Sequence, residues 1–293
     1  MNWDDLRVFL AVARRESLTA AAPLLRLDPA TVSRRIARLE AEYGGALFVK
    51  SPQGYALTDL GNRLRDVAAE AESALMRAAD LEAAPAAGLA GQVRIGAPDG
   101  CANYLLPQVV AALQRDNPAL EVQVLALPRV VNLSRREADM AITVSTPEAG
   151  RLTVQKITDY RLHLAQHRDM PVPQTPADLK GLPVVGYIQD MIFDRELDYL
   201  GGLAAQGVQL ASNSASVQVQ MLRQTRAVGI VHDFALPFAP ELRRVLTDQV
   251  SLTRAFYLVR HTSDRQSERL NRFAQALVAG LRAEVARLEA QNA

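Results

Sequence analysis

Along the first sixty residues the apolar positions recur at helical spacing, in short runs broken by polar turns. Leu6, Phe9, Leu10 and Ala13 share one face of a helix over residues 4–14. Ser17 suits an N-cap for a short second helix, Leu18 to Leu25, whose alanines let helices cross closely. Arg26-Leu27-Asp28 reads as a turn, and Val32, Ile36 and Leu39 then mark the buried stripe of a third helix over residues 28–42. Asp28 can cap it, and Pro29 suits its first position, where no amide hydrogen is needed. A short helix, a tight turn and a capped helix with Ser33, Arg34, Arg35 and Arg38 off its buried stripe make a helix-turn-helix. A basic face alone is ordinarily just a solvated surface; what precedes it here changes the odds. Gly44-Gly45 ends the third helix, and Leu47-Phe48-Val49 and Tyr55-Ala56-Leu57 read as a hairpin wing around Ser51-Pro52-Gln53-Gly54.

The pattern then lengthens. Thr58 caps a helix predicted to run to about Ala84, with Leu60, Leu64, Val67, Ala71, Ala74, Ala78 and Leu81 at alternating spacings of three and four. Nothing in a lone helix of this kind obliges it to stay folded, so the seam is read as a dimerisation face; packing on its own C-terminal domain is the alternative. Ala83 to Gly91 is a hinge of small residues.

Beyond the hinge, strand and helix patterns alternate, which argues for parallel sheet with crossover helices. Strands are predicted over 92–97, 121–127 and 138–144, with a helix over 102–114 and a helical turn over 130–136. Two β-rich runs near 152–165 lead into a second unit with strands over 184–188, 208–212 and 228–232 and a helix over 217–226. A strand over 255–260 and a helix over 268–288 close the chain.

Composition narrows this further. A chain of 293 residues is long enough for two or three cores. The net charge of +1 is not that of a generic nucleic-acid binder, so DNA contact must come from local placement of arginine. The basic residues are almost all arginine, the lysines being Lys50, Lys156 and Lys180. The sequence shows no signal-peptide pattern and no run near the roughly 20 apolar residues that span a bilayer. Cys101 is the single cysteine, which rules out an internal disulfide and fits a reducing, cytoplasmic setting.

With these motifs in view, residues 1–61 resemble the winged helix-turn-helix of the LysR-type transcriptional regulators. The resemblance rests on Leu6, Phe9, Val12 and Ser17, Thr19-Ala20-Ala21-Ala22, Val32-Ser33-Arg34 with Ile36, Leu39-Glu40, Leu47-Phe48, and Leu57-Thr58 with Gly61. Val93-Arg94-Ile95-Gly96, Leu106-Pro107, Asn117-Pro118, Ala138 to Ile142 and Val228-Gly229-Ile230 continue it in order. It implies an α/β fold class: an N-terminal winged helix-turn-helix over 1–58, a linker helix and hinge over 59–87, and a two-lobed, periplasmic-binding-protein-like effector domain over 88–293. Lobe I would take about 92–160 and 264–293, and lobe II about 161–263. The implied function is sequence-specific transcriptional regulation, with no enzymatic activity, no cofactor and no metal.

The implied partners are an operator duplex, a second copy in a dimer and then a tetramer, a small effector, and RNA polymerase. DNA-binding residues are expected among Ser17, Asp28, Pro29, Ala30, Thr31, Ser33, Arg34, Arg35, Arg38, Lys50 and Gln53. Pro29-Ala30 stands where the family often has glutamine-proline, and Gln53 where the wing tip is often basic. Base reading is therefore assigned to Ser33 and Arg34, with Thr31 beside them, and phosphate contact to Arg35, Arg38 and Lys50.

Ligands of open α/β sheets bind beyond the carboxyl ends of strands. That places Pro98, Asp99, Gly100, Cys101, Arg129, Thr143, Ser145, Tyr187, Asn213 and His232 around an effector cleft. The family often has a hydroxyl at the start of the first helix to hold a carboxylate. Asp99 there argues for a neutral or cationic effector, or else it simply caps its own helix; the capping reading is preferred. Cys101 at a helix start invites a redox role, but without a second cysteine a small buried hydrophobe is the better reading. His163, His167, His232 and His261 show no metal-ligand spacing. The competing classes are a solute-binding or enzymatic α/β protein, against which stand the lack of an export signal and of any catalytic motif, and an architectural DNA-binding dimer.

Overall fold

The protein is seen in a computed structural model that describes residues 2–51, 54–82, 88–126, 138–147, 151–192, 194–197, 199 and 207–291. They fall into two compact units, one ending with Glu82 and the other starting at Gly88.

In the first unit, α1 (Trp3–Arg15), α2 (Leu18–Leu25) and α3 (Pro29–Tyr43) are each started by a side-chain cap. Asn2, Ser17 and Asp28 accept from the amides of Asp4, Ala20 and Thr31 at 3.0, 3.2 and 2.8 Å, meeting donors that the first helical turn leaves unpaired. Gly44 closes α3 at φ +69°, the left-handed conformation that glycine takes without penalty. The wing, β1 (Phe48–Ser51) and β2 (Gly54–Leu57), pairs antiparallel. The start of β2, next to the hairpin turn, is fixed to the α1–α2 turn, where the Tyr55 amide donates to the Glu16 carbonyl at 2.8 Å. Any Cβ at Gly54 would stand 2.4 Å from that carbonyl oxygen, so only glycine fits.

Then α4 (Asp59–Glu82) begins, with Thr58 Oγ1 accepting from the Gly61 amide at 3.0 Å. Phe9, Leu10, Val12, Val32, Leu39 and Leu47 form the core of this unit, and Leu64 and Ala68 of α4 join it. That corrects the reading of Leu64 as part of a dimer seam, because the side chain is spent inside its own unit. No helix of the described residues is long and apolar enough to cross a membrane.

The second unit is built on one mixed sheet. Its strands are β3 (Gly91–Ala97), β4 (Leu120–Ala126), β5 (Met140–Thr143), β6 (Leu152–His167), β7 (Val184–Gly186), β8 (Leu210–Ala211), β9 (Val228–His232), β10 (Leu242–Arg244) and β11 (Ser251–His261). The order is β4-β3-β5-β11-β6-β9-β7-β8, with β10 also pairing β6. Within each lobe three strands run parallel, as expected: β3 with β4 and β5, and β7 with β8 and β9. The long crossing strands β6 and β11 run antiparallel to each other and stitch the lobes together.

Among the described residues four α-helices pack on the sheet: α5 (Asp99–Tyr104), α6 (Leu106–Asp116), α7 (Ala215–Gln224) and α8 (Glu268–Ala290). The single helix expected over 102–114 is thus two. Pro107 has no amide hydrogen to continue the ladder across Leu105. The start of α7 lies two residues before its expected position, since Ser214 Oγ accepts from the Val217 amide at 3.2 Å. The helical turn expected over 130–136 lies outside the described residues.

Candidate nucleic-acid interface and ligand cleft

On α3 the buried residues are Val32, Ile36 and Leu39, which leaves Pro29, Ala30, Ser33, Arg34 and Arg38 exposed. Three hydrogen bonds order the start of this face. Asp28 accepts from the Thr31 amide at 2.8 Å and from its hydroxyl at 2.7 Å, and Arg34 Nη2 donates to Thr31 Oγ1 at 2.9 Å. The two bonds from Thr31 hold the Asp28 carboxyl below its usual pKa. Thr31 is therefore a relay that holds Arg34 in place.

Arg38, expected at the phosphates, is exposed and is also engaged within its own unit. Its Nε and Nη2 bind Asp5 of α1 at 2.7 and 2.5 Å, which pushes the guanidinium pKa up. Arg35 Nη1 lies 3.7 Å from the same carboxylate. Ser17 is half-buried as the cap of α2, Lys50 stands exposed on the wing, and Gln53 lies outside the described residues. Glu40 carried no functional expectation. Its Oε1 accepts from the Leu47 amide at 2.8 Å, tying α3 to the wing.

In the second unit the carboxyl ends of β3, β5, β7 and β9 converge between the lobes. Asp99 does not cap its own helix, whose N-cap is Pro98 and carries no side-chain bond. Its Oδ2 instead accepts from Ser214 Oγ and from the Ser216 amide, both at 2.9 Å, so it caps α7 of the opposite lobe. Asn103 Nδ2 holds the other oxygen at 3.0 Å. The expected cleft hydroxyls are also engaged. Thr143 Oγ1 donates to the Ser145 carbonyl at 2.6 Å, and Ser145 Oγ donates to Asp194 Oδ2 at 2.5 Å.

Gly100 and Cys101 are buried behind this wall, and a Cβ at Gly100 would meet the His232 ring at 3.2 Å. Burial pushes the Cys101 thiol far above its usual range, which favours the inert reading of this cysteine. His232 is buried and its pKa is lowered to about 4 by desolvation, against a smaller opposing pull from Asp99. It packs among Tyr160, Tyr199 and Phe234, with Tyr199 Oη 3.5 Å from Nε2. Tyr187 is half-buried and meets Tyr199 edge to face at 5.7 Å. Beside them is a small, open-mouthed depression bounded by Val185, Tyr187, Ile192, Tyr199, Gln218 and Ile230 among others. Asn213 stands half-buried in the turn before α7, and Arg129 lies outside the described residues.

Ser214, Ser216 and Asp194 were missed from the sequence. Ser214 had a legible signal, a serine directly before a helical run, whereas nothing local links Ser145 with Asp194. His163 has a structural partner, Asp233, whose Oδ1 lies 2.8 Å from Nδ1. No group of three or more metal-ligating side chains gathers among the described residues.

Family models match both units. Residues 3–62 match the bacterial regulatory helix-turn-helix protein, lysR family, and residues 86–282 match the LysR substrate binding domain. The chain belongs to the LysR family. Among LysR-type relatives, it is 32% identical over 189 residues to the HTH-type transcriptional regulator PtxR of Pseudomonas aeruginosa, covering 63% of this chain and 57% of that protein. It is 29% identical over 182 residues to the Mau operon transcriptional activator of Paracoccus denitrificans, covering 61% and 62%. The matches thus span about three-fifths of these relatives' lengths. Full-length OxyR from Pseudomonas aeruginosa shares the fold, with a TM-score of 0.70 at 18% identity over 96% of this chain and 98% of that one. Full-length LysG from Corynebacterium glutamicum, solved with bound arginine as effector, gives a TM-score of 0.64 at 19% identity over 96% and 98%. The matched families and curated relatives are transcriptional regulators, not enzymes.

Proposed function

We propose that the protein is a cytoplasmic transcriptional regulator that binds an operator duplex through α3 and responds to a small effector held between the lobes of its second unit. The observation that carries this reading is Arg34, exposed on a capped helix of a winged head and ordered by Thr31. Its guanidinium suits bidentate pairing with guanine, with Ser33 as its neighbour on the groove floor. Lys50, and Arg35 in part, supply phosphate contact, which sets register and salt dependence.

Two copies are joined along α4 in this proposal. Val67, Ala74 and Leu75 are exposed there, and Val67 at 63% is unusually open for an apolar side chain. Ala71 is half-buried, and the side chains of Ala78 and Leu81 lie outside those described. A two-fold dimer reads a two-fold operator, and pairing of dimers into a tetramer gives the effector a geometry to bias. RNA polymerase is then the further partner at the promoter.

A DNase footprint on DNA flanking the protein's own gene, at fixed salt, tests this. A two-fold protected site that is lost in Arg34→Ala is expected. Protection indistinguishable from non-specific coating overturns the reading.

A further inference from the structure

Asp99 stands where an incoming anion would be received. The N-terminus of a ten-residue helix, α7, presents the Ser216 amide and the Ser214 hydroxyl, and both already donate to Asp99 Oδ2 at 2.9 Å. Such a terminus favours negative charge through its unpaired amides and its dipole. Here the charge comes from the chain itself and from the opposite lobe. A second carboxylate repeats the arrangement nearby, with Asp194 of lobe II accepting from Ser145 of lobe I at 2.5 Å. The adjoining pocket has phenol and amide groups among its apolar walls, and no ionised side chain among its described lining residues. Burial raises the pKa of the Tyr187 phenol in that pocket, and the charge of Asp99 adds a smaller push in the same direction.

We propose that Asp99 sets the ligand class of this cleft: by seating the chain's own carboxylate on α7, it rejects carboxylate ligands and favours those whose polar end donates hydrogen bonds, ammonium groups above all. An anion arriving at α7 must evict Asp99 and then sit beside a displaced like charge. An ammonium instead finds Asp99 and Asp194 as charge-assisted acceptors, with Tyr187 and Tyr199 in the adjoining pocket wall. Entry of such a donor competes with Ser214 and Ser145 for the two carboxylates and so acts directly on the lobe-to-lobe contacts. The inference rests on the reading of the cleft as an effector site.

Benzylammonium and benzoate share a ring and differ in charge, which makes them the probes. Calorimetric titration of the full chain at fixed ionic strength is expected to show wild type favouring benzylammonium by about tenfold or more, the scale of one charge-assisted hydrogen bond. Asp99→Ser vacates the seat and is expected to gain benzoate binding by a similar factor. If thermal melting shows that Asp99→Ser does not fold, Asp99→Asn, which keeps an oxygen for the Ser216 amide but no charge, carries the same expectation in smaller degree. Wild type that binds benzoate as tightly as benzylammonium, wild type that gives no heat with benzylammonium, or an Asp99 variant with the wild-type ranking overturns the proposal. Failure of the operator footprint with the ligand ranking intact would remove the regulator reading and leave the role of Asp99 standing.

Discussion

Arg38 of α3 grips Asp5 of α1 through two hydrogen bonds, Nε to Oδ2 at 2.7 Å and Nη2 to Oδ1 at 2.5 Å. Asp5 is 1% exposed, and a carboxylate at that depth is tolerated only when it is paired. α3 is thus held to the first helix by charge as well as by its apolar stripe, and Arg38 does this one turn beyond Arg34 on the same exposed face. Arg35, 3.7 Å from the same carboxylate, shares the load.

Loss of Arg38 should therefore be felt first in stability. Arg38→Ala is expected to lower the melting temperature of the full chain by several degrees, and the double change with Asp5→Asn is expected to recover part of it by removing the orphaned charge. Thermal unfolding followed by circular dichroism checks this. An unaltered melting temperature together with weaker DNA binding would return Arg38 to a phosphate role.

Arg34 makes the opposite prediction. Arg34→Ala is expected to leave the melting temperature unchanged and to cost about 1–3 kcal/mol at the specific site, with relaxed preference at one base pair. Thr31→Val, which keeps the size but removes the hydroxyl that Arg34 Nη2 binds at 2.9 Å, is expected to cost a smaller part of the same specificity. Binding measured across a set of single-base operator variants separates the cases. A uniform loss on every sequence would make Arg34 a phosphate contact.

The head was legible because its information is local. Caps at Ser17 and Asp28, the glycine stop at Gly44 and the stripe of Val32, Ile36 and Leu39 all act within a few residues, and each is found where its pattern places it. The partners of Arg38 and Asp99 were not legible, since Asp5 lies 33 residues from the one and Ser214 115 residues from the other. Helical periodicity was also blind to what an apolar face meets. Leu60, Leu64 and Val67 lie on one reading of the seam, yet Leu64 is buried in the head while Val67 is exposed.

That division gives a paired test on α4. Leu64→Glu places a charge in the head core and is expected to destabilise the first unit by about 2–5 kcal/mol, whatever the oligomeric state. Val67→Glu, at 63% exposure, is expected to leave the melting transition of dilute protein nearly unchanged and to shift sedimentation from dimer towards monomer. A Val67→Glu protein that sediments as the wild type does would remove Val67 from the dimer face.

The buried histidine of the cleft predicts a dependence on pH. His232 has a native pKa of about 4 against an ordinary 6.5, because its ring is shut away from water among Tyr160, Tyr199 and Phe234. Between those two values the unfolded chain binds a proton that the native chain does not, so stability rises with pH through this window. On acidification the contribution is intact above 6.5 and is lost progressively towards 4, by up to about 3 kcal/mol. Burial of the neutral ring sets the direction, and the nearby carboxylate of Asp99 acts against it. His232→Gln cannot titrate, and its melting temperature is expected to fall less steeply than that of the wild type between pH 6.5 and pH 4. Carboxylates elsewhere titrate in both proteins, so the difference between the two curves isolates the ring. Parallel curves would mean that His232 is hydrated and takes up its proton in the native state.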